Sequence, residues 1–155
     1  MNNSARDNPA RRRVGNALMQ FLRWSGTATS YAARQLNLNR TDMLCIRYLL
    51  NTGDPVSPKQ IMQELGLSSS SATELLDRLQ RYGYVRRIPN PADRRGVLIE
   101  LDREHAAEPI AFFSSVEQLF LKALSRRSEA ELLAMAEFFE EVTTDEAFGP
   151  AAQEE

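Results

Sequence analysis

Two groups of side chains in this chain have the types and spacing to do chemistry on an anion. The first is Ser68-Ser69-Ser70-Ser71, followed by Thr73 and Glu74. Small hydroxyls at the start of a helix leave its free backbone amides accessible, so such a turn can approach a phosphate closely and can reach a base edge without bulk. The second is Asp93-Arg94-Arg95-Gly96, two guanidinium groups in a turn-rich stretch, where a protruding cation suits a narrow, strongly negative groove. Asp93 would repel a polyanion unless it paired with an arginine. Arg95 beside it and Arg78 further back are the two candidates, and either pairing would fix the direction of a guanidinium. Arg81 stands with Arg78 as a second support for phosphate contact.

Other reactive types are sparse. The only cysteine, Cys45, sits between Leu44 and Ile46 in an apolar run and reads as a small core hydrophobe with a raised pKa. The only histidine, His105, has no companions with which to bind a metal. No nucleophile elbow, phosphate-binding glycine loop or cysteine-histidine set is present, so no enzyme activity, cofactor or metal is expected. Trp24, Tyr31 and Tyr48 read as core or interface aromatics, with a ligand crevice between the first, second and fifth helices as the alternative. Arg11-Arg12-Arg13 is a solvated helix start or an arm that touches phosphates.

The elements that must position these groups follow from periodicity and punctuation. A long first helix is expected from Ala10 to about Gln35, with Val14, Leu18, Phe21 and Leu22 at helical spacing. Asn39 with Asp42 three residues on caps a second helix that ends at Asn51-Thr52-Gly53. Ser57-Pro58-Lys59-Gln60 opens a third, only about two turns long, which stops at Gly66. Ser68 caps a fourth whose inner face is Ala72, Leu75, Leu76 and Leu79, with Gly83 as its left-handed end. The period then changes. Tyr84 to Ile88, the turn Pro89 to Asp93, and the alternation through Val97, Ile99 and Leu101 form a β-hairpin with a charged tip. A fifth helix carries Ile110, Phe113, Phe120 and Leu124 on one stripe and Phe112, Val116 and Leu119 on another. Ser128 and Glu131 box the start of a sixth, which aligns Leu132, Met135, Phe139 and Val142. Pro109 must kink or restart the fifth helix.

The fold class expected is therefore mainly α with a small β-hairpin wing: a winged helix-turn-helix with an all-helical dimerisation region. Its segments are a flexible N-terminus (1–9), a dimerisation helix (10–36), the winged helix-turn-helix (37–101), C-terminal dimerisation helices (102–143) and an acidic flexible tail (144–155). Charge divides along the same line. Residues 1–100 hold 15 Arg or Lys against 8 Asp or Glu, net +7, whereas residues 101–155 hold 4 against 13, net −9. The basic part suits a polyanion and the acidic part does not. No run approaches the roughly 18 apolar residues of a membrane span, and the N-terminus lacks a secretory pattern, so no membrane role and a cytoplasmic location are expected.

Leu65-Gly66-Leu67-Ser68 through Thr73, Leu75-Leu76-Asp77-Arg78-Leu79, Tyr82-Gly83-Tyr84-Val85-Arg86-Arg87, and Asp93-Arg94-Arg95 followed by Val97-Leu98-Ile99-Glu100-Leu101 resemble the recognition helix, wing strands and wing tip of the MarR family. The specific match spans residues 57–101, and a looser match of helix order covers about 10–143. The resemblance implies a homodimer that binds a pseudo-palindromic double-stranded DNA operator and regulates transcription, most often as a repressor relieved by a small aromatic or anionic effector. It implies wing roles for Asp93 and Arg95. Val14, Leu18, Phe21, Phe113, Phe120, Leu132, Phe139 and Val142 would line the dimer interface. Oxidation-sensing relatives carry their cysteine in the first helix, which here has none. Glu74 stands where many relatives have a basic residue, so base preference does not transfer. The rival reading is a winged helix used as a protein-interaction scaffold without DNA binding.

Overall fold

The computed structural model describes residues 8–144, apart from the side chains at positions 94 and 95. The expected acidic tail and most of the expected flexible N-terminus lie outside the described residues. Six helices and one hairpin follow in order: α1 (Pro9–Gln35), α2 (Arg40–Thr52), α3 (Pro58–Glu64), α4 (Ser69–Arg81), β1 (Val85–Asn90), β2 (Asp93–Leu101), α5 (Ala107–Leu124) and α6 (Glu129–Thr143). The architecture is the mainly helical winged helix-turn-helix that the sequence implies.

Local chemistry accounts for most of the boundaries. Asn39 accepts a hydrogen bond from the Asp42 amide (3.0 Å) while Asp42 accepts from the Asn39 amide (2.9 Å), a reciprocal cap at the start of α2. Ser57 with Gln60 and Ser128 with Glu131 do the same for α3 and α6. Each such cap contributes about 1 kcal/mol. At the end of α4 the chain reverses through Gly83, whose φ of +80° lies in the region open to glycine.

The chain divides into two compact units at Phe113/Ser114, within α5. In the first, Ala32 and Ala33 of α1, Met43, Cys45, Ile46 and Leu49 of α2, Ile61 of α3, Leu75, Leu76 and Leu79 of α4, and Val85 and Ile99 of the hairpin close on one core. The strands pair antiparallel from Val85↔Leu101 to Pro89↔Val97. Val56, in the α2–α3 connection, adds a short third edge by exchanging backbone hydrogen bonds with Ile99 (3.0 and 2.7 Å).

Two local expectations are corrected. The hairpin turn is shorter than the stretch Pro89 to Asp93: Pro89 is still paired in β1, and only Pro91 and Ala92 turn the chain. Register then jumps from Pro89↔Val97 to Asn90↔Asp93, so Arg94, Arg95 and Gly96 fall opposite a single step of β1, as a bulge near the end of the hairpin. Pro109 neither kinks nor restarts α5. It is the third residue of that helix, where its missing N–H would have no intrahelical partner in any case, and it is buried. Before it, Asp102 Oδ1 accepts the amides of Glu104 (3.2 Å) and His105 (3.1 Å), which turns the chain from β2 into α5.

The second unit begins with the remainder of α5 and continues through α6. Both helices form as their periodicity implies, and α6 has no buried residue. Among the described residues no helix is long and apolar enough to cross a membrane.

Candidate nucleic-acid interface

The sequence of α4 places its two faces in opposite environments. Ala72, Leu75, Leu76 and Leu79 recur at helical spacing and are buried, which turns Ser69, Ser70, Thr73, Glu74 and Arg81 outward, all exposed. Ser68 ends its own freedom as the cap: its Oγ accepts the Ser71 amide (3.2 Å) and bonds the Ser71 hydroxyl (2.9 Å). The Thr73 hydroxyl donates back to the Ser69 carbonyl (2.9 Å), so toward an outside ligand it offers an acceptor and a methyl group. The first turn of α4 is thus exposed, small and uncharged. Its amides and hydroxyls suit a phosphate, and the Glu74 carboxylate one turn on suits a base amino group such as cytosine N4.

Arg78 is not available in the way the sequence suggested. It is turned inward onto Asp42 of α2: Nη2 donates to Oδ1 at 2.6 Å, and Nε donates to Oδ1 and Oδ2 at 3.1 and 3.2 Å. Asp42 is only 1% exposed. The hydrogen bond from Arg78 to this carboxylate holds its guanidinium above its ordinary pKa. Hence Arg78 is paired with Asp42 rather than with Asp93. Asp93 itself is exposed at the start of β2, in register with Asn90. Arg94 and Arg95 follow it in the bulge.

Residues the sequence did not single out tie the hairpin to α4. Arg87 of β1 donates to Asp77 Oδ1 (2.6 Å) and also to the Gln80 side chain. Across the hairpin, Arg86 pairs with its register partner Glu100 at 3.0 Å. The second of these was legible in principle, as opposite charges on facing strand positions. The first was not, since nothing in the spacing of 77, 80 and 87 reveals how the strand crosses the helix.

The remaining candidates separate. Burial, reinforced by the nearby Asp42 charge, pushes the Cys45 thiol up to about 12, as expected of a core cysteine. His105 packs against Gly83, where an added Cβ would lie 3.2 Å from the imidazole Cδ2, and its Nδ1 is 3.1 Å from Asp102 Oδ1. Tyr48 lines a hollow of about 390 Å³ with Leu44, Arg47, Asn51, Glu64 and Leu65. Trp24 and Tyr31 are not core residues, being 43% and 59% exposed. A second hollow, of about 500 Å³, lies between α1 and the start of α2 and gathers Arg23, Arg34 and Arg40 with Thr27 and Ser30. Of the residues assigned to a dimer interface, Val14, Phe120, Phe139 and Val142 are exposed and Leu18, Phe21 and Leu132 half-buried. Phe113, by contrast, packs against the core of its own unit.

A helix-turn-helix followed directly by a bulged, arginine-bearing hairpin defines this as a winged-helix protein. Residues 36–96 match the model of the MarR family, and the winged helix of this chain is a MarR-family winged helix. The chain is 36% identical over 94 residues to the uncharacterized HTH-type transcriptional regulator YcgE of Bacillus subtilis, an alignment covering 58% of this chain and 60% of that one. It is 35% identical over 92 residues to the HTH-type transcriptional regulator PecS of Dickeya dadantii, covering 50% and 55%. The chain thus spans somewhat over half the length of these relatives. Among solved structures, a variant of MepR from S. aureus bound to an oligodeoxyribonucleotide superposes with a TM-score of 0.59 at 18% identity, covering 84% of this chain and 96% of that one.

Proposed function

We propose that this chain is a sequence-specific, DNA-binding transcription regulator that acts as a homodimer in the cytoplasm, a repressor released by a small effector, with no enzymatic activity. The observation that carries the reading is the pairing of an exposed, hydroxyl-rich first turn of α4 with an arginine-bearing hairpin bulge on the same winged helix. Ser69, Ser70, Thr73 and Glu74 face the major groove, Ser68 and Ser71 complete the turn at the phosphates, and Arg94 and Arg95 enter the minor groove. Arg81 supports the backbone contact alone, because Arg78 is engaged with Asp42. The YcgE and PecS regulators and the DNA-bound MepR variant support the same reading. The guanidinium-lined hollow between α1 and α2 supports an anionic effector, and exposed apolar side chains on α1, α5 and α6 support the dimer.

The test is enrichment of a duplex from a random-sequence library, followed by anisotropy over a salt series. A pseudo-palindrome with half-sites about 10 base pairs apart is expected. Arg95→Ala should fold normally, reduce the salt slope by about one for each phosphate left without its cation, and weaken binding by about 1.5–3 kcal/mol per subunit. A chain that enriches no duplex and is not retained on random DNA would instead be an interaction scaffold.

A further inference from the structure

Asp42 is the one charged side chain in the buried interior of the described residues, and its place in the fold is unusual for a cap. We propose that Asp42 is a positioning residue for DNA reading: through Arg78 its carboxylate fixes the rotation of α4 about its own axis, and with it the placement of the base-reading side chains. The inference rests on the DNA-binding reading above.

Capping alone does not explain a charge at this position. The Asn39 amide needs one acceptor, and Oδ2 supplies it at 2.9 Å. A neutral amide side chain would serve as well. The carboxylate is instead matched to Arg78, which meets both oxygens through two nitrogens. Apolar packing generally stabilises such a site as well as a buried ion pair does, or better, so stability alone gives no reason for the pair. What apolar packing lacks is direction. A two-nitrogen grip on a planar carboxylate is satisfied over a narrow range of angles, whereas the burial of Leu75 and Leu79 is driven by an effect that has no direction of its own.

Geometry makes this direction matter. Glu74 and Arg78 are four residues apart and lie on one side of α4, one turn from each other, so the inner end of this row is anchored and its outer end belongs to the reading face. Side-chain ends lie about 5–6 Å from a helix axis, so a rotation of about 10° moves them by about 1 Å. That exceeds the roughly 0.5 Å within which a recognition group must be held. From the neighbouring face Arg87 of β1 grips Asp77 at 2.6 Å. Consecutive residues of α4 are therefore held by opposite charges on α2 and on the hairpin. The two arginines are similarly exposed, at 29% and 32%, but the Asp42 carboxylate is out of water where that of Asp77 is half exposed, so salt screens the Asp42 grip less.

The roles open to Asp42 differ in sign. If its charge merely neutralised a phosphate-binding Arg78, Asp42→Asn would release the guanidinium and tighten every duplex alike. If it were only structural, the variant would melt earlier and leave DNA preference untouched. As a positioning residue, its loss weakens the chosen duplex while leaving unspecific binding in place.

The experiment compares the 155-residue parent, Asp42→Asn and Arg78→Lys by anisotropy on two probes: a duplex enriched by the parent from a random library, and the unselected pool. Asp42→Asn keeps the oxygen that caps α2. Its affinity for the enriched duplex should fall about tenfold, the scale of a single mismatched base pair, with affinity for the pool within about twofold. Arg78→Lys keeps the charge but not the two-nitrogen grip, and should lose preference in the same sense by a smaller factor. A folded Asp42→Asn whose ratio of the two affinities equals or exceeds the parent's overturns the inference. Should Asp42→Asn not fold, an unchanged ratio in Arg78→Lys overturns it equally. If the parent enriches no duplex at all, the DNA-binding reading falls and this inference with it, whereas enrichment with an unchanged ratio removes this inference alone.

Discussion

The winged helix from Leu38 to Leu101 and the described residues from Ser114 onward treat their apolar side chains in opposite ways. In the first unit Met43, Ile46, Ile61, Leu79 and Ile99 are wholly buried, and the helices and hairpin that supply them close on each other. In the second, Leu119 and Leu121 of α5 are each 56% exposed and Leu133 of α6 is 59% exposed. Both units have well-formed, well-capped helices, so the contrast is not one of helix propensity. It shows that helix formation and core formation are separate problems. The winged helix resolves both within one chain, whereas the second unit, like Val14, Met19 and Leu22 of α1, leaves large apolar side chains exposed.

The contrast is broken most directly by charging the open surface. Leu133→Glu combined with Phe139→Glu should convert the proposed dimer to monomer at micromolar concentration, each side chain withdrawing about 1.5–3 kcal/mol of burial per subunit. Sedimentation equilibrium reads the result, and an unchanged dimer constant would show that this surface covers something else. Within the closed unit, Gly83→Ala places a Cβ at φ +80° and 3.2 Å from the His105 ring. The ring is largely exposed and can swing aside, so backbone strain dominates, and a loss of about 1–2 kcal/mol in urea unfolding is expected. A neutral result would mean that the end of α4 relaxes more easily than its packing implies.

Smaller effects sharpen the comparison. Ser128→Ala removes the cap that opens α6 and should cost about 1 kcal/mol. Hydrogen exchange confined to the first turn of α6 would locate that loss in the second unit, whereas protection lost throughout the first unit would join the two thermodynamically. Asp102 precedes α5, and the His105 amide donating to its carboxylate holds its pKa below the ordinary carboxylate range. The folded state therefore binds fewer protons than the unfolded one. The resulting stabilisation is present above the ordinary range and lost as pH falls through the lowered value. Asp102→Asn should flatten the acid limb of a urea-midpoint profile slightly, and a parent and variant with the same pH dependence would contradict this role.

Much of this molecule follows from short-range chemistry. Asn39 with Asp42, Ser57 with Gln60 and Ser128 with Glu131 mark helix starts because a side-chain oxygen three residues from an amide needs no tertiary help to cap it. The inner face of α4 was equally legible, since Ala72, Leu75, Leu76 and Leu79 repeat with the helical period. The exposed Ser69, Ser70, Thr73 and Glu74 are the complement of that face. Turn chemistry was less decisive. Five turn-forming residues from Pro89 to Asp93 allowed several lengths, and strand pairing selected a two-residue turn with the bulge displaced onto Arg94–Gly96.

By itself, then, the sequence determined where helices begin and end, which faces are apolar, where the period changes from helix to strand, and that the basic residues precede the acidic ones. All of these depend on residues within one or two turns of each other. Only the tertiary structure decided that Arg78 turns inward to a carboxylate 36 residues earlier, that Arg87 crosses to Asp77, and that Phe113 belongs to the core of its own unit. Those partners are distant in sequence, and a guanidinium reads the same whether it faces a phosphate or a buried aspartate. Which of the two it meets is set by how α2 and α4 pack, a property of the closed core and not of either segment alone.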